Sequence, residues 1–419
     1  MELLELLNPW WKERKVSKDL ALPYRRVQFL ELKKLLAVRP ITVISGLRRV
    51  GKSVLIYQMI DELISSGTNP DNILYFSFDQ KTEELLDIFQ QYKELSNCEW
   101  ESTQTYVFLD EIQKLKDWSN KLKLFYDRFP RIKFVISGSS SFNLEKDAIK
   151  NLTGRHFEVN VRPLSFAEYL QMINSKIELD KQKLWHDEIK KGFKEYLLRP
   201  YPELVKYNEL SLIKSYIKEN VIDKILRDDL SNFKDINEEL ATNLINIFYD
   251  KPGMYVNYDK LSADLKISKR TLLRHVFYLE FAYLIRKVKN YRPATRSTSR
   301  KMQRIYPYHF SLEFGWNGNL NLECEVMSLY DSKYYWNDGN REVDVIVTEN
   351  KLLPIEVKET SKVSYEDTSS LKYFMAKFKV KDGILIYNGE EAIMKDDKSE
   401  IRLMPVWKAF LNPPEFSTL

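Results

Sequence analysis

Apolar and polar positions follow two rhythms along this chain, and the rhythm changes near residue 160. Before that point, short apolar runs alternate with stretches of helical period. The lead-in, 1–40, contains VQFLELKKLLAV (27–38), apolar every three to four residues, which predicts a helix. ITVIS (41–45), NILYFSF (72–78), TYVFLD (105–110) and KFVISGS (133–139) are continuous apolar runs of strand length. VLIYQMIDELI (54–64) has helical period between the first two. Strands alternating with helices predict a parallel sheet covered on both faces.

Beyond residue 160 the segments LSFAEYLQMI (164–173), 181–230 and NEELATNLINIFYD (237–250) read as helices. From 258 to 291 the pattern is helix, short turn at Lys266–Ser268, second helix and basic strand, the outline of a winged helix-turn-helix. After 320 strands dominate (KYYW, REVDVIVT, LLPIEVKE, DGILIYNG), interrupted by the helix SSLKYFMAKF.

The turn after the first apolar run carries a distinct chemistry. Gly46-Leu47-Arg48-Arg49-Val50-Gly51-Lys52-Ser53 fits G-x-x-x-x-G-K-[ST] between a strand and a helix. Glycines let successive N–H groups turn toward phosphate oxygens, and a helix N-terminus adds partial positive charge. In such a loop Lys52 reaches the β- and γ-phosphates of ATP, and the Ser53 hydroxyl ligates Mg²⁺. The run ending in Asp110-Glu111 delivers two carboxylates at the carboxyl end of a strand, where α/β sheets bind ligands. Asp110 is expected in the Mg²⁺ shell and Glu111 as the residue that orients or deprotonates the attacking water. Ser137 and Ser139 end a further strand and are candidates for a hydrogen bond to the γ-phosphate or the lytic water, with Ser139 preferred.

In order, GLRRVGKS, YVFLDEIQKLKDW, ISGSSSFNL and LTGRHFEVNVRPLSFAEYL resemble the prokaryotic AAA-type ATPases, relatives of the archaeal ATPases and of origin-recognition proteins. The resemblance extends through YPELV (201–205), the winged-helix pattern and the C-terminal strands. It implies an ATPase using ATP and Mg²⁺. It also makes Arg155, in the TGR segment, a γ-phosphate sensor or an arginine finger; a finger acting in trans needs a homo-oligomer. The chain departs from the family where Arg199-Pro200-Tyr201 replaces the usual Gly-Gly ahead of Pro-Glu, and in lacking an acidic residue around His309–Ser311.

The C-terminal strands carry Asp344 and Glu356-Val357-Lys358. Residues two apart on a strand face one side, so Glu356 and Lys358 share a face and Asp344 can meet them from the next strand. Two carboxylates could hold a divalent cation while the lysine polarises a water, with Glu323 as a further ligand. The same family resemblance implies a core like that of PD-(D/E)XK nucleases. Intact cleavage and a nuclease-like fold retained for packing or binding both remain open.

Charge sharpens the picture. Residues 260–304 hold thirteen Lys and Arg against two acids, leaving 52 basic and 58 acidic residues elsewhere. Such a segment suits a polyanion, through Lys269, Arg270, Arg274, Arg286 and Lys287, with Arg296, Arg300 and Arg304 beyond. It equally suits docking on an acidic neighbour. Composition, 44% hydrophobic and 30% charged, excludes wholesale disorder. No apolar window approaches a membrane span, and two cysteines fit a reducing cytoplasm.

The expected fold is α/β in five parts. These are a helical lead-in (1–40), a P-loop NTPase core of AAA type (41–165), a helical extension (166–235), a winged helix (236–304) and a small nuclease-like domain (305–419). The function expected is an ATP-driven switch acting on DNA. Alternatives are an ATP-gated metal-dependent nuclease and a nucleotide-sensing adaptor that binds a protein.

Overall fold

A computed structural model of the chain describes residues 2–138, 152–173, 176–230, 233, 235–293, 303–349, 351–395 and 399–413. It divides into two compact units, Met1–Pro163 and Leu164–Leu419.

The first unit is built on five parallel strands: β1 (Ile41–Ser45), β2 (Ile73–Ser77), β3 (Thr105–Asp110), β4 (Ile132–Ser137) and β5 (His156–Asn160). Their order is β2-β3-β4-β1-β5. The first four coincide with the apolar runs, because a strand buried on both faces has no polar side to show. β5 is an edge strand with half-exposed positions, and its sequence HFEVN carries no apolar run to announce it. Together these form a P-loop NTPase fold. The lead-in belongs to this unit rather than standing apart. Asn8 closes the free edge of β2 like one more strand residue: its Oδ1 accepts from Tyr75 N–H (2.7 Å) and its Nδ2 donates to Tyr75 O (2.9 Å). Trp10 and Trp11 both donate their indole N–H to Ile73 O. An edge covered this way cannot pair with another chain.

The second unit opens with a capping box, in which Ser165 accepts from Glu168 N–H and Glu168 accepts from Ser165 N–H. Helices follow to Asp250, and then a helix-rich segment interleaves with short strands. These are β6 (Met254–Val256), helices Tyr258–Asp264 and Lys269–Phe281, β7 (Ile285–Asn290) and β8 (Gln303–Pro307). Ser268 caps the second of these helices through Thr271 N–H, which fixes the turn where the sequence placed it. The C-terminal strands are β9 (Tyr334–Asn337), β10 (Glu342–Val347), β11 (Leu353–Lys358), β12 (Asp382–Tyr387), β13 (Ala392–Lys395) and β14 (Glu400–Pro405).

All nine of these strands form one sheet, in the order β13-β14-β12-β11-β10-β9-β7-β8-β6. β7 pairs with β9 in parallel, so the boundary expected at residue 304 falls inside a continuous sheet and, in fact, inside β8. Residues 236–304 and 305–419 are therefore not separate domains here. Apolar clusters cover the sheet: one joins Val345, Ile355 and Ile384 to the helices around Phe193 and Phe310, another joins Val343, Ile346 and Leu385 to Phe374. No helix among the described residues is long and apolar enough to cross a membrane.

Candidate functional site

The loop 46–51 leaves the carboxyl end of β1 and opens the helix Lys52–Ser65. Gly46 has φ +143°, and a Cβ there would lie 2.1 Å from Val161 O, so no side chain fits. Gly51, at φ 97°, is the N-cap. A Ser or Asp cap would occupy the first-turn amides; glycine leaves them for a ligand. Lys52 is buried and donates to Gly46 O (3.1 Å) and Leu47 O (2.9 Å), which curls its ammonium over its own loop. Arg26, from the lead-in, braces the loop from behind by donating to Val50 O (2.8 Å) and Arg162 O (2.9 Å). Nothing in the sequence marked Arg26, whose partners lie 24 and 136 residues away.

β4 lies between β1 and β3, and that order assembles the site. Asp110, at the end of β3, is 3% exposed. Its Oδ2 accepts from Ser53 Oγ (2.6 Å) and from Tyr75 OH (3.2 Å), and its Oδ1 accepts from Ser137 Oγ at the end of β4. Burial, then the charge of Asp110, raises the Tyr75 phenol far above its ordinary pKa, so it remains a donor. Glu111 follows in the left-handed region (φ 52°, ψ 42°), a conformation that side chains other than glycine seldom adopt. The Gln113 amide donates to Glu111 Oε2, giving the glutamine of the DEIQ segment a positioning contact. Ser53 and Asp110 supply adjacent hard oxygens, a donor set that suits Mg²⁺.

Two further members were predicted, Ser139 and Arg155. Ser139 lies outside the described residues, and Ser137 is the serine that meets Asp110. Arg155 precedes β5, and its carbonyl accepts from Ile41 N–H at the start of β1. That is the amino-terminal edge of the sheet, one strand length of roughly 15 Å from the phosphate loop. There Arg155 pairs with Asp127 through Nε (3.0 Å) and Nη2 (3.3 Å). A γ-phosphate sensor within the same chain is thereby corrected to a structural ion pair.

The C-terminal acids do come together, but around a cation that residue spacing did not place among them. Asp344 Oδ2 accepts from Val357 N–H (2.9 Å), and Lys358 donates to Glu356 Oε1 (2.6 Å). Arg304, from β8, enters the cluster nearly fully buried. It binds Glu323 Oε1 (2.7 Å) and Glu342 Oε1 (2.6 Å), stands 4.0 Å from Asp344, and donates to Gly253 O (2.7 Å). Tyr306 also donates to Glu323. Burial, then the neighbouring carboxylates Glu356 and Glu323, holds Asp344 well above the usual carboxylate range. Burial likewise pushes Glu356 up to about 7 against the pull of Lys358. The residues do not fit a resident divalent ion: a guanidinium already bridges the carboxylates. Among the described residues no group of three His, Cys, Asp or Glu is arranged to hold a metal. No cleavage step is derived through this cluster.

The basic segment is also largely spent on the protein itself. Arg286 is buried and paired with Asp331, so it is corrected from a DNA contact to a core residue. Lys269 pairs with Asp259 (2.8 Å), Arg274 with Asp235 (2.6 Å) and Lys287 with Glu280 (2.5 Å). Arg270 is exposed on the helix. Arg296 and Arg300 lie outside the described residues.

Comparison with known proteins bears on this geometry. Residues 38–170 match the family model of an AAA domain. Residues 190–312 and 325–408 match two models described as domains of unknown function, DUF8612 and DUF4143. An uncharacterized protein of Haemophilus influenzae is 30% identical over 262 residues, which is 60% of this chain and 62% of that one, so less than two thirds of the relative is spanned. An uncharacterized protein of Methanocaldococcus jannaschii is 28% identical over 402 residues, 88% of this chain and 87% of that one. Among solved structures, the Aeropyrum pernix ORC2 protein in its ADPNP–ADP complexes matches with TM-score 0.39 and 13% identity. That match covers 68% of this chain and 91% of the other. A DNA replication initiation factor matches with TM-score 0.29 and 13% identity, covering 58% and 69%.

Proposed function

We propose that this protein binds and hydrolyses ATP at the loop 46–53, and that the nucleotide state acts as a switch on the winged-helix segment and on DNA. The observation that carries the ATPase reading is Asp110, buried and held by Ser53, Ser137 and Tyr75 at the carboxyl ends of β1, β3 and β4. In this reading the amides of 46–51 and the Lys52 ammonium bind the phosphates. Ser53 and Asp110 hold Mg²⁺, which when bound neutralises charge developing on the phosphates. Glu111, steadied by Gln113, accepts the proton of the attacking water. Ser137 keeps Asp110 oriented. Lys269, Arg270 and Arg274 lie on the helix Lys269–Phe281, read here as the recognition helix. The pairs of Lys269 and Arg274 lie at exposed positions, where such pairs contribute only about 0–1 kcal/mol, so phosphates can replace the carboxylates. The reading places the protein in the cytoplasm. No observation favours the nuclease alternative.

The test pairs two substitutions. Lys52→Ala should lose ATP binding. Glu111→Gln should bind ATP with near wild-type affinity and lower single-turnover hydrolysis by roughly 10²–10⁴-fold. Normal turnover in either protein rejects the assignment.

A further inference from the structure

The second unit contains a cleft of about 690 Å³ that takes no part in the sites above. It lies at the carboxyl ends of three neighbouring parallel strands. Glu359 directly follows β11, Asn388 directly follows β12, and Pro405 ends β14; all three line the cleft. Strands give way to loops at this end of an α/β sheet, and ligand crevices form there.

Three kinds of surface meet in it. The walls are apolar, from Phe193, Leu197, Leu322 and Trp407. One side presents Lys190, Lys191 and Lys194, whose spacing on the helix His186–Leu198 brings them to one face. Lys191 and Lys194 are exposed, and Lys190 reaches Glu390 at 3.4 Å. The buried end is Glu325, 5% exposed, which lines the cleft and whose carboxyl meets no hydrogen-bond partner among the described residues. Burial, then Glu313 and Glu359, pushes its pKa up to about 8. Near neutral pH it is a carboxylic acid, with an O–H donor beside an acceptor oxygen. Its oxygens open onto the cleft, where a ligand carrying the complementary donor–acceptor pair can meet both at once.

We propose that this cleft binds a nucleoside 5′-phosphate, with the base between the apolar walls and against the Glu325 carboxyl, and the phosphate on the lysines. Inorganic phosphate would use the lysines alone. An acyl chain with an anionic head would use walls and lysines but leave Glu325 unpaired. A nucleoside phosphate brings a flat ring, a donor–acceptor edge and an anion together. A free nucleotide and the phosphorylated end of a nucleic-acid strand share this chemistry.

The test uses full-length protein carrying Lys52→Ala, so that the phosphate loop does not contribute. Binding of the four nucleoside 5′-monophosphates and of a 5′-phosphorylated single-stranded oligonucleotide is measured by equilibrium dialysis. Saturable binding is expected. It should weaken by roughly tenfold or more in a Lys191→Ala/Lys194→Ala protein, which loses charge-assisted contacts. Glu325→Leu should weaken it similarly, while Glu325→Gln, which keeps a donor and an acceptor, should retain it. A mononucleotide that binds as well as the oligonucleotide marks a free ligand, and binding of the oligonucleotide alone marks a strand end. Two results overturn the proposal: no binding of any of these probes, or binding indifferent to both the lysine pair and Glu325→Leu. Failure of the phosphate-loop reading would appear separately, as ATP retained by the Lys52→Ala protein.

Discussion

Asp110, buried, and Asp344, half-buried, are both aspartates on strands of an α/β sheet, each close to further acidic or hydroxyl groups, yet they are satisfied in opposite ways. Asp110 is held by three neutral hydroxyls, from Ser53, Ser137 and Tyr75. Asp344 sits in a cluster with Glu323 and Glu342 that is bridged by a guanidinium, beside the ion pair of Glu356 with Lys358. A hydrogen bond from a neutral hydroxyl to a carboxylate contributes about 1.5–3 kcal/mol, and the hydroxyl leaves no charge behind when a cation takes its place. Withdrawing one partner from a buried ion pair costs about 3–5 kcal/mol. The first site can therefore accept a cation, and the second already contains one. Residue types alone do not separate a metal site from its filled counterpart; the charge of the donors does.

The largest effect that would break this comparison is expected from Arg304→Ala. Removing the bridge leaves Glu323, Glu342 and Asp344, all half-buried, facing one another without a counter-ion. The second unit should lose about 3–5 kcal/mol in denaturant unfolding. Millimolar Mn²⁺ should recover part of that loss, because the freed carboxylates then need a cation. A loss below about 1 kcal/mol would show that Arg304 is not the counter-ion.

A second effect concerns pH. Glu313 and Glu356 are pushed up to about 7 and Glu325 to about 8, with burial the first cause in each. In the unfolded chain these groups release their protons near 4.5. Between the two values the folded state binds more protons than the unfolded state. Stability is then full below about pH 4.5 and is lost as pH rises through 7 to 8. Unfolding of the second unit followed from about pH 5 to about pH 9 should show this fall, and Glu325→Gln should make it shallower. A stability that rises over that range would exclude buried neutral acids as the main source of the pH dependence.

Ser137→Ala sharpens the comparison from the other side. It removes one of three hydroxyls from Asp110 without touching its charge. The expected loss is about 1.5–3 kcal/mol, roughly tenfold to a hundredfold in ATP turnover, with Lys52-dependent binding preserved. A loss above about a hundredfold would mean that Ser137 contacts the reacting atoms rather than only orienting Asp110.

What could be read from the sequence follows from how far apart the interacting groups are. The loop 46–53 is contiguous, and the apolar runs of β1 to β4 are buried on both faces, so period and spacing sufficed. The placement of β4 between β1 and β3 is a property of the sheet, and with it went the role of Ser137. Arg304 meets acids 19 to 40 residues downstream, and within the basic segment it counts as charge available to a partner. Counting gives the sign of a segment; pairing decides how much of it faces outward. Asn8 and Arg26 were silent for the same reason, since one polar side chain completing a distant backbone leaves no local pattern.

The smallest expected effect separates placement from resemblance. Arg155 and Asp127 form an ion pair with side chains 34% and 46% exposed, at the end of the sheet away from the phosphate loop. Exposed pairs of this kind contribute about 0–1 kcal/mol. Arg155→Ala should therefore lower stability slightly and leave ATP binding unchanged. If hydrolysis is carried by Lys52, Asp110 and Glu111 within one chain, turnover per chain should also be unchanged across protein concentration. A turnover that falls in Arg155→Ala, and that rises with protein concentration in the wild type, would mean that the arginine leaves Asp127 and serves the nucleotide of another copy. Asp127→Ala discriminates further, because freeing the guanidinium should then speed turnover, whereas a purely structural pair predicts no change.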